Sequence, residues 1–253
     1  MKITIVQTDI VWGDPATNRE RIMQQIEGHE GDLFILPEMF STGFATEPEG
    51  IAEEQGETLH WMRQMAAERQ ASFAGSIAVK EGERYYNRFY FVKPDGDVST
   101  YDKRHLFTYG HENRYYTAGT GRTIVEYHGV RFLLEVCYDL RFPVWSRNRN
   151  DYDMILYVAS WPTSRMMVWN TLLKARAIEN QCFVAGVNRV GHDPVCDYSG
   201  GSMVIDAYGK VIADCGTNTP CCRTVTLDTD RLLTFRKKFP VLNDADDFNI
   251  SLS

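Results

Sequence analysis

The chain has 253 residues, 43% of them hydrophobic. That is enough for a substantial core in one large domain or two small ones, and α/β folds of this length are commonly single. A net charge of −7 and an isoelectric point of about 5.4 exclude the basic face that a nucleic-acid partner needs, and no apolar run approaches the thickness of a bilayer, so no membrane helix is expected.

The first residues, MKITIVQTDIVWGD, are apolar but soon interrupted by Asp9 and Asp14. They read as a strand over 2–8 and not as a signal peptide. Residues 18–26 carry a helical pattern with Ile22, Met23 and Ile26 on one side. A short strand over 32–36 is closed by Pro37-Glu38, and a second helix over 57–70 is apolar at Leu59, Met62, Met65 and Ala66. The texture then changes. Residues 72–79, 84–93 and 98–103 are rich in β-formers and separated by Glu81-Gly82-Glu83 and by Pro94-Asp95-Gly96-Asp97, which is hairpin punctuation. Residues 108–121 form a polar, aromatic loop, and 123–128 and 130–136 a pair of strands about Gly129. Strands over 154–158 and 182–188 enclose a helix over 165–180. Strands over 202–206 and 210–214 flank Ala207-Tyr208-Gly209, and 224–227 is a last strand. A short helix over 230–237 precedes an acidic, irregular tail, 239–253, which reads as an arm reaching a second subunit or as a frayed end. No repeat or low-complexity linker divides the chain, so one domain is expected over 1–253. Alternating β and α units followed by hairpins predict mixed sheets with helices outside, a layered α/β sandwich.

Six cysteines are present, without a C-x-x-C pair, and the six histidines are scattered. A zinc site is therefore not expected, and a chain this long does not need disulfide staples. Reduced, cytoplasmic thiols are the simpler reading, with the adjacent Cys221 and Cys222 inert near a strand start.

One thiol stands apart. Residues 132–136 are a run of β-formers, Cys137 sits where the run ends, and Pro143 is suited to the first position of a helix. The sequence thus predicts a strand, a sharp turn bearing Cys137, and a helix whose N-terminus favours negative charge near the sulfur. A lone cysteine after an apolar strand is more often a small core residue. Two further polar residues also stand at predicted strand ends, Glu38 and Lys103, and strand ends are where α/β sheets gather their sites. A carboxylate can take the thiol proton, an ammonium can stabilise thiolate and oxyanion, and the carboxyl can return its proton to a leaving amine. That set suits cleavage of a C–N bond by acyl transfer. Taken singly, Glu38 and Lys103 are more simply surface groups and Cys137 a core residue.

The flanking residues change that balance. Leu-Pro-Glu-Met-Phe around Glu38, Tyr-Asp-Lys-Arg-His-Leu-Phe around Lys103 and Val-Cys-Tyr-Asp-Leu-Arg-Phe-Pro around Cys137 resemble, in this order, the three motifs of the nitrilase (carbon–nitrogen hydrolase) superfamily. The resemblance runs over nearly the whole chain. It implies a four-layer αββα sandwich of two mixed sheets flanked by helices, pairing through its helices into a homodimer. It implies Glu38 as general base and acid, Lys103 as oxyanion stabiliser, Cys137 as nucleophile and the Tyr138 N–H as a second oxyanion donor. It also implies Glu112 as a second glutamate that positions substrate and base; a solvated loop acid is its plainer reading. No metal or cofactor is required.

Residues 159–162, 171–180 and 187–191, with Pro37-Glu38-Met39-Phe40 and residues 42–44, are similar to the omega-amidase branch. That implies small substrates with an amide at one end and a keto acid at the other, such as 2-oxoglutaramate and 2-oxosuccinamate. The far carboxylate calls for an arginine fork. Arg141 and Arg165 are the candidates, although Arg141 is more simply a structural partner of Asp139 or another acid that holds the elbow, since the same motif occurs in branches with uncharged substrates. Phe44, Tyr138 and Trp161 are candidate pocket walls, and large aromatics are also ordinary core. The rivals are another branch of the superfamily (an amidase, carbamoylase or nitrilase), a catalytically silent small-acid binder, and a thiol redox protein using Cys137, against which no second cysteine lies near it in sequence. Glu135 fits awkwardly: two residues before Cys137 on a central strand, it is costly unless paired.

Overall fold

In the computed structural model, which describes residues 1–251, the elements in chain order are β1 (Lys2–Gln7), α1 (Pro15–Gln25), β2 (Leu33–Ile35), α2 (Glu57–Arg69), β3 (Ser72–Glu81), β4 (Arg84–Val92), β5 (Val98–Asp102), β6 (Ile124–Tyr127), β7 (Val130–Val136), β8 (Met154–Ala159), α3 (Met166–Glu179), β9 (Phe183–Asn188), β10 (Val190–His192), β11 (Asp197–Ser199), β12 (Met203–Ile205), β13 (Val211–Asp214), β14 (Cys221–Thr226) and α4 (Thr229–Lys238). Two six-stranded sheets form, in the orders β14-β1-β2-β3-β4-β5 and β13-β12-β9-β8-β7-β6. In the first, β1, β2 and β3 are parallel and β4 and β5 return as a meander. In the second, β7, β8 and β9 are parallel and the outer strands antiparallel.

The period-two alternation of the strands decides the layers. Ile3, Ile5, Leu33, Ile35, Phe89 and Phe91 of the first sheet meet Phe132, Leu134, Met154, Leu156, Ala185 and Val187 of the second in one buried core between the sheets. The alternate residues face outward and are covered by helices. Val6, Phe34 and Phe73 pack under Ile22 of α1 and Trp61, Met62 and Met65 of α2. Leu133, Ile155 and Val184 pack under Trp169, Leu173 and Ala177 of α3. With both faces buried, the central strands need the near-continuous apolar runs seen at 132–136, 154–158 and 183–187. The expected four-layer αββα sandwich is the fold observed.

One local expectation is corrected, and one pair of strands is unexpected. No α-helix succeeds the thiol: Cys137–Arg141 is a 3-10 turn, and residues 143–146 continue as turns. The side chains there are committed elsewhere, with Trp145 buried and its Nε1 donating to Tyr101 Oη at 3.2 Å, so the local signal of Pro143 is overridden. The section expected as hairpins is antiparallel, β3 with β4 and β4 with β5, and β3 joins it to β2 in parallel through α2. The β10–β11 pair has no counterpart among the expected strands; each has three residues in a polar stretch, below what alternation reveals. The tail folds back on its own chain, where Arg149 Nη2 donates to Phe248 O at 3.0 Å and its guanidinium lies 4.5 Å from that ring.

Candidate active site

Glu38 lies just past β2, in a tight turn that β3 holds. Leu36 N–H donates to Ala74 O, Met39 N–H to Ser76 Oγ and Phe40 N–H to Ser76 O, at 2.7, 3.0 and 3.3 Å. Gly75 permits this approach: a Cβ there would meet the Phe40 ring at 2.9 Å and Leu36 at 3.0 Å. Lys103 comes directly after β5, its N–H donating to Asn87 O of β4 at 3.0 Å. Cys137 ends β7 with φ of 45°, a left-handed conformation that a side chain adopts only when the surroundings enforce it. Asp139 is the enforcing group. Its carboxylate accepts from Val136 N–H (3.0 Å), His105 N–H (2.9 Å) and Tyr101 Oη (2.9 Å), and lies 2.7 Å from His105 Nδ1. The His105 ring in turn stacks on Phe142 at 3.8 Å. The turn is thus latched to the end of β5 in the opposite sheet.

These elements bring Glu38, Lys103 and Glu112 into one buried cluster. Lys103 Nζ donates to Glu38 Oε1 at 2.8 Å and to both Glu112 oxygens at 3.1 and 2.9 Å. Glu38 Oε2 accepts from Ser160 N–H at 2.8 Å, at the end of β8. Glu112 Oε2 accepts from Phe107 N–H at 2.6 Å. Glu112 is therefore not a solvated loop acid, the plainer of its two readings.

Charge in this dry cluster is closely balanced. Burial works against the Lys103 ammonium, but the Glu112 and Glu38 carboxylates outweigh it and hold its pKa well above the usual lysine value. Burial pushes the Glu112 carboxyl up, only partly countered by Lys103. Burial also pushes the Cys137 thiol well up; Glu38 adds to the rise and Lys103 opposes it. At rest the sulfur is held as a thiol beside Glu38, the starting point for proton transfer to that side chain as the sulfur attacks.

A cavity of about 450 Å³ opens over this cluster. Glu38, Lys103 and Cys137 line its floor, and Phe44, Tyr138, Arg141, Trp161 and Arg165 line its walls, whereas Glu112 does not line it and bonds to Lys103. The two guanidiniums are held by rings, Arg141 5.2 Å from Trp161 and Arg165 5.2 Å from Phe107. Among the described residues neither forms an ion pair. Asp139, the acid expected as a partner of Arg141, is engaged instead by Tyr101, His105 and Val136.

A model of the carbon-nitrogen hydrolase family matches residues 2–237. The chain belongs to that family. It is 46% identical to omega-amidase YafV of Escherichia coli K12 over 252 residues, covering 99% of this chain and 98% of that one. It is 33% identical to 2-oxoglutaramate amidase of Bacillus subtilis strain 168, covering 96% of each. Among solved structures it superposes on XC1258 of Xanthomonas campestris, a CN-hydrolase superfamily protein with an arsenic adduct in the active site, with a TM-score of 0.96, 41% identity and 99% coverage of both chains. This carbon–nitrogen hydrolase is an amidohydrolase acting on C–N bonds.

Two residues of this hydrolase's site escape a reading of the sequence. Asn87 of β4 donates Nδ2 to Glu38 Oε1 at 2.8 Å and to Glu112 Oε1 at 3.2 Å, tying the two acids together. Its one signal is a lone amide amid aromatic β-formers, an unfavourable strand residue without a packing reason. Asn188, ending β9, clamps the segment after β8: its Oδ1 accepts from Trp161 N–H at 2.7 Å and its Nδ2 donates to Trp161 O at 2.9 Å. Nothing in the local sequence marks that role.

Proposed function

We propose that this amidohydrolase is an omega-amidase that hydrolyses the terminal amide of a short 2-oxo dicarboxylic acid monoamide, 2-oxoglutaramate or 2-oxosuccinamate, to the 2-oxo acid and ammonia. One observation carries the reading. A single cavity has the Cys137–Glu38–Lys103 cluster on its floor and two ring-held guanidiniums without ion-pair partners, Arg141 and Arg165, in its wall. The floor suits an amide carbonyl and the wall a carboxylate. The names of the relatives from E. coli and B. subtilis support the same substrate class.

The positions support the following chemistry. Cys137 Sγ attacks the amide carbon as Glu38 takes the thiol proton. The oxyanion is met by Lys103 Nζ and the Tyr138 N–H. Glu38 returns its proton to the departing nitrogen, ammonia leaves, and a thioester remains. Glu38 then draws a proton from water, which attacks the thioester and releases the acid and the thiol. Glu112 and Asn87 keep Lys103 and Glu38 aligned throughout. The cytoplasm, where thiols stay reduced, is the proposed compartment; the described residues contain no helix long and apolar enough to cross a membrane. Two copies pair through their outer helices, where α3 presents exposed Met167 and Ile178, and light scattering reads that mass directly.

The deciding assay is ammonia release from 2-oxoglutaramate beside glutamine and a simple aliphatic nitrile. Turnover of the keto-acid amide well above both others is expected; a nitrile preferred over it overturns the assignment. Changing Arg141 or Arg165 to Met should raise KM for the keto-acid amide much more than for a neutral amide. An equal rise for both would make that arginine structural.

A further inference from the structure

Arg189 belongs to the 187–191 stretch that resembles the omega-amidase branch, yet the reaction above gives it no task. It stands between β9 and β10, wholly buried and outside the cavity lining. A buried guanidinium is costly unless its donors are met. Here they reach the ends of both sheets. Nη2 donates to Ile10 O, beyond β1 of the first sheet, at 2.9 Å and to His192 O of β10 at 3.0 Å, and Nε donates to Val190 O at 3.1 Å. The guanidinium lies 4.5 Å from the centre of the Tyr198 ring of β11, with Asp9 Oδ1 at 3.7 Å. The same seam is closed by Val190 N–H, which donates to Thr8 O at 3.0 Å. One side chain thus pins both strands of the β10–β11 hairpin to the end of the first sheet.

That hairpin is a wall of the active-site cavity, which Asp193, Val195, Cys196 and Tyr198 line. Asp193 stiffens its tip. The carboxylate accepts from Val195 N–H at 2.8 Å, from Cys196 N–H at 2.7 Å and from Tyr198 Oη at 2.5 Å. β11 packs against the turn Thr163–Arg165, which carries one of the two guanidiniums without an ion-pair partner in the cavity wall. Resting on the reading of Arg165 as a fork for the substrate's carboxylate, we infer that Arg189 is a positioning residue for substrate specificity. It fixes the hairpin on the first sheet, and the hairpin fixes where Arg165 meets that carboxylate. The effect belongs to binding and not to the chemical step, because Glu38, Lys103 and Cys137 stand at the ends of other strands, β2, β5 and β7.

The experiment is a double-mutant cycle of wild type, R165M, R189M and R165M/R189M, with kcat and KM measured for 2-oxoglutaramate and for a neutral aliphatic amide. R189M should raise KM for the keto-acid amide about tenfold, as for one charge-assisted hydrogen bond lost, with kcat and the neutral amide's KM each within about twofold of wild type. In the R165M background, R189M should add less than about a twofold further rise, since both residues act on one contact. An equal rise for both amides makes Arg189 merely structural and overturns the inference. So does a full tenfold rise on top of that in R165M, about what independent sites would give. If R189M does not fold, G191A carries the same expectation. Gly191 pairs with Tyr198 in the hairpin at a φ of 87°, and a Cβ there would lie 2.0 Å from Asp9 Oδ1, so the hairpin must shift off the first sheet. An unchanged KM in G191A overturns the inference. The Arg165 reading fails separately. R165M without a selective rise in KM removes the carboxylate fork, and Arg189 then has nothing to position. A selective rise in R165M with none in R189M sinks the role of Arg189 alone.

Discussion

Lys103 holds two carboxylates apart and together, and the site's energetics turn on that one ammonium. Its three bonds to Glu38 and Glu112 lie in a cluster almost without solvent exposure. Replacing it by Ala leaves two buried acids with no cation between them, so K103A should lose about 3–5 kcal/mol of stability besides activity. A Tm within a degree or two of wild type would mean that the acids share a proton instead. Glu38 leads to a prediction of opposite signs. Its charge raises the Cys137 thiol, so E38Q lowers that pKa and should speed labelling of Cys137 by iodoacetamide at pH 8. The same variant lacks the base and acid, so hydrolysis should fall by about 10²–10⁴-fold. In the wild type, labelling should go on rising above pH 8.5, where an ordinary cysteine begins to level off, because burial holds the folded thiol above that value. A variant that slows both reactions together would show Glu38 only shaping the turn.

At the scale of elements, the strands that carry the site are legible in the sequence and the turns that aim it are not. The runs at 132–136 and 154–158 are buried on both faces, so composition alone marks them, and the chemistry sits at their ends with Cys137 and Ser160. Glu38 and Lys103 are found by the same rule. The segment after Cys137 defeats it because Pro143 is a local signal, whereas the latch of Asp139 to Tyr101 and His105 spans more than thirty residues of chain. The role of Asn87 is hidden for a related reason, since its one signal is a lone amide among β-formers: pairing of β3, β4 and β5 brings that amide between Glu38 and Glu112. The latch is testable. An asparagine at 139 offers one acceptor oxygen where the native carboxylate takes four contacts, and turns an NH₂ toward N–H and O–H donors. D139N should cost about 2–3 kcal/mol and lower kcat at little change in KM, since the pocket walls are untouched. Steady-state kinetics beside thermal melts would check this, and an intact kcat would show that Cys137 holds its left-handed conformation without the latch.

Taken whole, the molecule divides its chemistry between two sheets. Glu38, Lys103 and Asn87 come from the first, Cys137 and Ser160 from the second, and the apolar core between the sheets, with the Asp139 latch and the Ser160 bond to Glu38, keeps them in register. Opening that core therefore disassembles the site even where each sheet stays paired, so activity should not outlast global packing. Phe91 is the place to test it. Its ring is fully buried at the centre of the inter-sheet core, 5.7 Å from Phe132 and 6.0 Å from Tyr127 across the gap, and it does not line the pocket. F91A leaves a cavity there at a cost of about 3–5 kcal/mol, which for a chain of this size lowers Tm by about 10 °C. Well below the new Tm its kcat and KM should match wild type. On heating, loss of turnover and loss of near-ultraviolet circular dichroism should fall on one curve, shifted together from the wild-type pair. Were turnover to vanish many degrees before the tertiary signal, the site would be opening within one sheet, and the loops around Glu38 or Cys137 would be the weak point instead of the packing between the sheets.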